Sequence, residues 1–531
     1  MNTPMHRPTC QHNRAFKSNR AFVQLLLIMS MLLTTSMTSY AQSDLAGEAT
    51  GANRLFLPLV TGPTAVSATA LADEQVASVE PTEDILSDYD AISETEAAAM
   101  IDAAASSFIF IVTKTADTND GACSPIDCSL REAAAAAAAD PTTHDTILLF
   151  DGVFPIIAQP LQLVNVSLLG KGATKTIIEG VGSILAPAMN TIEMPMALTP
   201  QTLQPVLNTW LQLEKITIRS IPINNPAAGI KHHWGKLTLK NVRIQKHKQG
   251  IASAPLNLAD SKGIFLYNSD IDTNEKGLLI EKGSATIENS VIRNSSGLGI
   301  ELRQSTATLV ATTISSNGGG GLYLQKSTGA VAGSALIFNK KSAIFLNGAT
   351  LTMSSSTLSS NDSSATGAGL GVDGGGATLW VGQGSTADLT FVTIAKNKVP
   401  NGTASLYVSP YGTNSIQMRN SIVADNLKQS GQAGDCAGTL TSGGYNLIEN
   451  KNGCTMPDAS GDSSGVDPKL GSLAFNGGTT RNHLPASSSR AVDAIQGMAC
   501  PNLSLDQRAI IRPRDGNGDG IWGCDMGAIE R

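Results

Sequence analysis

Five apolar residues, Ile271, Ile292, Ile314, Leu336 and Leu358, follow one another at steps of 21, 22, 22 and 22 residues. Each stands in a short β-rich run, followed by a polar turn, a glycine or lysine step and a second β-rich run. The series continues to Ile394 and Val423, with steps of 36 and 29, and extends back to Ile244 and Ile218, with steps of 27 and 26. A fixed period in this range means one supersecondary unit stacked on copies of itself. The runs have no amphipathic helical pattern, which excludes helical repeats, and the leucine-and-asparagine consensus of leucine-rich repeats is absent. What remains is an all-β chain folded as a right-handed parallel β-helix, a solenoid of coils of about 22 residues.

Alternation along a strand places i and i+2 on one face. With the aliphatic anchors inward, Ser269, Ser290, Thr312, Ser334, Ser356, Val392 and Ser421 also point inward. Three residues after each anchor comes Asn274, Ser295 (with Asn294 beside it), Asn317, Asn339, Asn361, Asn397 and Asn426. Asparagine tolerates a left-handed backbone and bonds locally, so the spacing predicts a recurring tight turn and a stacked asparagine ladder.

Low aromatic (4%) and charged (15%) fractions with 51 glycines suit a thin-walled solenoid with many turns. The net charge of −7, without a dense basic stripe, argues against a nucleic-acid partner. No phosphate loop points to a nucleotide, and no G-x-S-x-G element or metalloprotease helix is present. Residues 1–41 read as a signal peptide: Arg7, Arg14, Lys17 and Arg20 precede the apolar run Ala21 to Leu33, and Ser39-Tyr40-Ala41 offers a cleavage site. The expectation is a secreted or cell-surface protein. Residues 42–106 are an acidic linker too poor in apolar surface to order itself, apart from an apolar island at Leu55 to Val60. Without Cys10, which falls in the leader, six cysteines remain. Proximity favours Cys123–Cys128, Cys436–Cys454 and Cys500–Cys524, none within the array, as staples at its two ends.

Ordered structure is expected from Phe108. Ser129 and Glu132 have the spacing of a capping box ahead of an alanine run that Asp140-Pro141 ends. A short helix there would cover the open end of the solenoid. The hexapeptide Cys128-Ser129-Leu130-Arg131-Glu132-Ala133, with the preceding FIVTKTADTNDGAC, resembles the CSLREA domain of secreted bacterial proteins over roughly residues 108–182. That resemblance implies export and a β-helix of the pectin lyase-like kind, and no established catalysis. From NSIVADN through GDCAG, GGYNLIE, DPKLGSLAFNGGTTRNHLP and DQRAIIRP to CDMGAIE, residues 387–530 are similar to the choice-of-anchor Q domain. In that family the domain precedes varied surface-sorting signals; here Arg531 ends the sequence. The expected organisation is a leader (1–41), a linker (42–106), an N-terminal cap with first coils (107–182), repeats (183–386), and last coils with a disulfide-stapled C-terminal cap (387–531).

Carbohydrate-cleaving β-helices need carboxylates clustered on one outer face. The coil register places Val291, Thr313 and Ala335 over Asp270, and Arg293, Ser315 and Ile337 over Asp272, so Asp272 is expected to pair with Arg293 at the surface and no acid ladder forms. His232, His233, Trp234, Lys240, Arg243, Lys246, His247 and Lys248 could bind an acidic glycan, or form a solvated outer face. Trp380, Tyr407 and Tyr411 lie in or beside the long loops 361–385 and 398–415, natural binding elements. Asp515, Asn517 and Asp519 resemble the first half of a calcium loop, but its twelfth place holds Met526. Asp506-Gln507-Arg508 and Arg512-Pro513 look catalytic, with Arg–Asp pairing inside the cap as the structural account. The reading is an exported noncatalytic protein that binds polysaccharide or another cell-surface component. A polysaccharide lyase or hydrolase, or a plain structural stalk, are the alternatives.

Overall fold

A computed structural model describes residues 107–140, 143–157, 159–180, 184–186, 210–221, 225–233, 235–254, 263–364, 376–501 and 504–531. The expected leader, the linker, Trp234 and part of the 361–385 loop lie outside these residues.

Each coil has three short parallel strands. In one coil these are Ile264–Tyr267, Asp270–Asp272 and Lys276–Glu281; in the next they are Ser284–Glu288, Val291–Arg293 and Leu298–Arg303. Stacked coils therefore form three faces, numbered here one to three in chain order. The anchors pair in register from Ile218 through Ile244, Ile271, Ile292, Ile314, Leu336, Leu358 and Ile394 to Val423. All nine are buried. Parallel stacks from face one (Leu266, Ile287, Leu309, Val331) and face three (Leu278, Ile300, Leu322, Ile344) complete the core. Each aliphatic side chain buried this way contributes about 1.5–3 kcal/mol.

The corners follow one rule. A residue with left-handed backbone turns the chain, and the residue after it points inward. Between faces one and two the left-handed residues include Asn268, Asn289, Ala311 and Gly333, and the inward ones are Ser269, Ser290, Thr312 and Ser334. These hydroxyls link coils: Ser269 N–H donates to Ser290 Oγ (3.1 Å), and Ser334 N–H to Ser356 Oγ (3.0 Å). The hydroxyl stack is thus inward as expected, but it sits at a corner and not on a straight strand.

The asparagine corner corrects the expected mechanism more sharply. The left-handed residues are Thr273, Asn294, Ser316, Phe338, Ser360, Lys396 and Asp425, each one before the ladder position. Asn317, Asn339, Asn361, Asn397 and Asn426 are instead buried amides stacked along the axis. Each Nδ2 donates to the next Oδ1 at 2.9–3.1 Å. The amides also bond to anchor carbonyls, as Asn361 Nδ2 does to Leu336 O (2.9 Å). The ladder ends on Asp435, whose Oδ1 accepts from Asn426 Nδ2 (2.8 Å).

At the N-terminal end, a helix (α1, Leu130–Ala138) lays Leu130, Ala133, Ala134 and Ala137 on the core. The capping box is complete: Glu132 N–H donates to Ser129 Oγ (3.1 Å) and Ser129 N–H to Glu132 Oε2 (2.7 Å). Arg131 holds Asp117 through two bonds (2.7 and 3.0 Å), and Asp117 in turn accepts from Ile157 N–H (2.8 Å). Cys123–Cys128 closes the loop before the helix. Each polar group of the hexapeptide is thereby engaged in fastening the end of the solenoid.

Residues 467–531 do not continue the coils. They run back along the outer side of face two, so the expected C-terminal end cap is a flank. Thr480 Oγ1 donates to Gly333 O (3.0 Å), Ser355 Oγ to Leu505 O (2.7 Å), and Ala528 N–H to Thr393 Oγ1 (2.9 Å). A second apolar core joins Phe391, Ile422, Ala424 and Leu447 of the coils to Ala491, Ile495, Cys500, Cys524 and Met526 of the flank. Cys500–Cys524 closes a loop within the flank, and Cys436–Cys454 spans neighbouring strands of the last coils.

Candidate functional site

The expected basic and aromatic cluster is dispersed. His232 is buried in strand Asn225–His232, with its ring nitrogens at 3.0 Å from Ser253 Oγ and 3.2 Å from Gly235 O. His233 Nδ1 lies 2.9 Å from Ala254 O. His247 is not on the outer face at all. Three residues after Ile244, it fills the ladder position and its backbone N–H donates to Asn274 Oδ1 (2.9 Å). Among the described residues neither ring nitrogen completes a well-aligned hydrogen bond, although the Ile218 carbonyl is close enough to act on the ring. Burial pushes its pKa down to about 4, the Ile218 carbonyl only partly opposing. Lys240 lies on face one and Arg243 on face two, separated by the Asn241 corner.

Arg243 is committed to acids. With Arg293 it clasps Asp270 and Asp272. Arg293 Nε and Nη2 donate to Asp270 (3.0 and 2.9 Å), and Arg243 Nη2 donates to Asp272. The expected Asp272–Arg293 contact is the looser one, at 3.6 Å, and Asp272 is buried among its partners instead of lying at the surface. Burial works against its charge, yet the Asn294 amide and the two guanidiniums hold its pKa below the ordinary value. On face three, Lys276 and Arg303 bond Glu301 (2.7 Å each), and Arg303 reaches Glu281 (2.8 Å). These carboxylates are satisfied by cations, an arrangement unlike a free acid–base pair.

Trp380 is also corrected as a binding residue. Face three aligns Tyr323, Phe345, Trp380 and Tyr407 in one outward row. The Phe345 and Trp380 rings stack at 4.2 Å between centroids, and Trp380 is 1% exposed. Its indole meets another ring and not solvent. Tyr407 is half-buried, and Tyr411 is 64% exposed on its loop.

The Asp515 loop is held by its own backbone. Asp515 accepts from the N–H groups of Gly518 (2.7 Å), Asp519 (3.2 Å) and Gly520 (2.9 Å), while Asn517 Nδ2 donates to Asp519 Oδ2 (3.0 Å). Met526, at the twelfth place, is buried in the second core. In the N-terminal cap, Asp120, Asp127 and Glu132 converge, and the Lys114 ammonium lies among them, ion-paired with Asp127 and at 3.2 Å from Asp120 and 3.5 Å from Glu132. A side-chain cation already serves that cluster. In the flank, Arg512 is fully buried against Glu530 (2.7 Å) and over the Phe391 ring (4.2 Å), whereas Arg508 pairs with Asp506 (2.8 Å). Arg508 fastens the flank to itself, in the Arg–Asp pairing of the structural account, and Arg512 pairs with a glutamate instead and joins the flank to the coils at Phe391.

An open concavity on the coils lies elsewhere, on the outer side of the asparagine corner. Lys396, Lys398 and Lys428 line it with Asp425, Leu427, Gln429 and Gly431, enclosing about 530 Å³. The backbone bridges Lys340–Asp362–Lys398 and the strand pair Lys398–Val399 with Leu427–Lys428 stack these residues coil on coil. Lys340 pairs with Asp362 (3.4 Å) and Lys396 with Asp425 (3.5 Å). Among the described residues, Lys341, Lys398 and Lys428 make no ion pair. The signal was in the sequence: N-K-K, K-N-K and N-L-K surround ladder residues Asn339, Asn397 and Asn426. Because ladder asparagines point inward, their neighbours must point out.

Residues 227–385 match the family model described as a right handed beta helix region. Among solved structures, the chain is similar to pectate lyase Pel9A, with 14% identity and a TM-score of 0.43 over 81% of this chain and 97% of that one. It is similar to the A-module of mannuronan C-5 epimerase AlgE4 from Azotobacter vinelandii, with 12% identity and a TM-score of 0.39 over 64% and 91%. A GH87 α-1,3-glucanase catalytic domain in complex with nigerose gives 14%, 0.33, 66% and 69%. No curated protein sequence matches.

Proposed function

We propose that this chain is an exported, noncatalytic β-helix of the cell surface or extracellular space that binds an anionic polysaccharide along its lysine-bearing corner. The observation that carries the reading is the concavity of about 530 Å³ with Lys398 and Lys428 unpaired on its wall. Stacked parallel strands lie about 4.8 Å apart, so lysines on successive coils repeat at a spacing that an extended acidic polymer can follow. The outward carboxylates of faces two and three are already spent on Arg243, Arg293, Lys276 and Arg303, which supports binding over cleavage. The signal-like residues 1–41 and the resemblance to the CSLREA and choice-of-anchor Q domains support export and the domain boundaries given above. Calcium at the Asp515 turn is no part of the binding reading.

Binding of residues 107–531 to polygalacturonate, alginate and neutral dextran tests it. The acidic polymers should bind, with affinity falling as salt rises. The Lys341→Ala, Lys398→Ala, Lys428→Ala triple variant should weaken binding about tenfold or more. Equal binding to dextran, or no loss in the triple variant, would refute the site. Release of unsaturated or reducing ends would replace the noncatalytic reading with a lyase or hydrolase.

A further inference from the structure

The flank carries a second concavity, remote in sequence from the lysine corner. Gly497, Met498, Cys500, Pro513 and Trp522 enclose about 370 Å³, within the size of small-ligand sites. Trp522 is 66% exposed and Met498 wholly so. In contrast to Trp380, whose ring is consumed by stacking, the Trp522 side chain stays largely in solvent. Large apolar side chains left out at a concave place mark binding surfaces more often than packing.

The Trp522 side of the concavity is tied down at several points. Cys500–Cys524 ties both sides of the concavity together. Backbone bridges Arg514–Gly523 and Ile495–Cys524 hold the hairpin that presents Trp522. The Asp493 carboxylate accepts from Gly516 N–H (3.0 Å) and Asn517 N–H (3.0 Å), pinning the turn before it. The site is thus preformed, which lowers the entropic cost of binding.

We propose that this pocket binds a neutral pyranose. An indole, a methionine and a proline ring offer apolar surfaces to the C–H face of a sugar. Asp519, exposed in the turn leading to Trp522, accepts from Asn517 Nδ2 (3.0 Å) and Ile521 N–H (2.8 Å) and keeps further lone pairs that a sugar hydroxyl seated on Trp522 can use. No cation lines the concavity, so nothing in its walls favours an anionic sugar. The pocket therefore does not share the ligand class assigned to the lysine corner, and the two sites are independent.

Calorimetric and tryptophan-fluorescence titrations of residues 107–531 with malto-, cello-, xylo- and mannohexaose test this. At least one neutral hexaose should bind with a shift in indole emission. Trp522→Ala should weaken it about tenfold or more while leaving the melting temperature and polygalacturonate binding unchanged. Met498→Ala, also exposed, should give a smaller loss. No response to any of the four sugars, or binding that survives Trp522→Ala, would overturn the proposal. The lysine triple variant should bind the hexaose normally, so failure at either site is read separately.

Discussion

His247 stands where the following coils carry asparagine or serine, and it cannot do what asparagine does there. In the next coil, Asn274 Nδ2 donates to the Ile244 carbonyl (3.2 Å). The equivalent carbonyl for position 247 is that of Ile218, and Asn274 Oδ1 already receives the 247 N–H. His247→Asn should extend the ladder by one rung and raise stability by about 1–2 kcal/mol, read as a higher urea midpoint. It should also remove a pH effect. The imidazole is held near 4 when folded, below its unfolded value of about 6.5, so the unfolded chain binds the extra proton as pH falls through that window. The wild type should lose up to about 3 kcal/mol between pH 6.5 and 4 from this residue alone, and the variant none of it. The converse change, Asn361→Ala, strands the Asn339 donors and the Leu336 carbonyl in a dry interior, and should cost about 4 kcal/mol in the same assay. The ladder was legible because its spacing is fixed; His247 also obeys that spacing. It was read as surface because Lys246 and Lys248 flank it, although alternation sends a residue and its neighbours to opposite sides.

The flank obeys a different logic. It has no period, and its partners lie about 135–150 residues earlier in the chain, as with Ser355 to Leu505 and Thr393 to Ala528. Nothing local in the sequence reveals such pairings, which is why the segment reads as an end cap until its contacts are seen. The lysine corner was overlooked for a related reason: its lysines flank ladder residues one coil apart, and they meet only through coil stacking. The capping helix was legible because Ser129 and Glu132 act over three residues. Cys500→Ser with Cys524→Ser should cost the flank about 3 kcal/mol, from the entropy of a loop of 24 residues. Limited proteolysis should then cut within 467–531 first, while the β-sheet circular dichroism of the coils persists. Simultaneous loss of both signals would show that flank and coils unfold as one unit.

Three carboxylates set the pH response of the molecule. Burial raises Asp435 and Asp525 to about 6 and Glu530 to about 7. Folded-state values above the unfolded ones mean that the native protein holds more protons between roughly pH 4 and 7, so this stability is complete in acid and lost as pH rises. Buried His483 and His247, both held below the ordinary imidazole value, work in the opposite direction; with three carboxylates against two imidazoles, the melting temperature should be higher at pH 5 than at pH 8. An optimum at pH 8 would mean that these acids stay ionised in the folded protein. The order of synthesis adds a last consequence. Neighbouring coils contact one another across about 22 residues, so each can settle on the one before it soon after leaving the ribosome. The flank follows the coils in the chain and reaches back over coils already in place. The closing segment therefore works as a check on what precedes it: a copy without residues 467–531 would have stacked coils with face two uncovered, presenting Phe391 and Ile422 to solvent where quality-control machinery can find them.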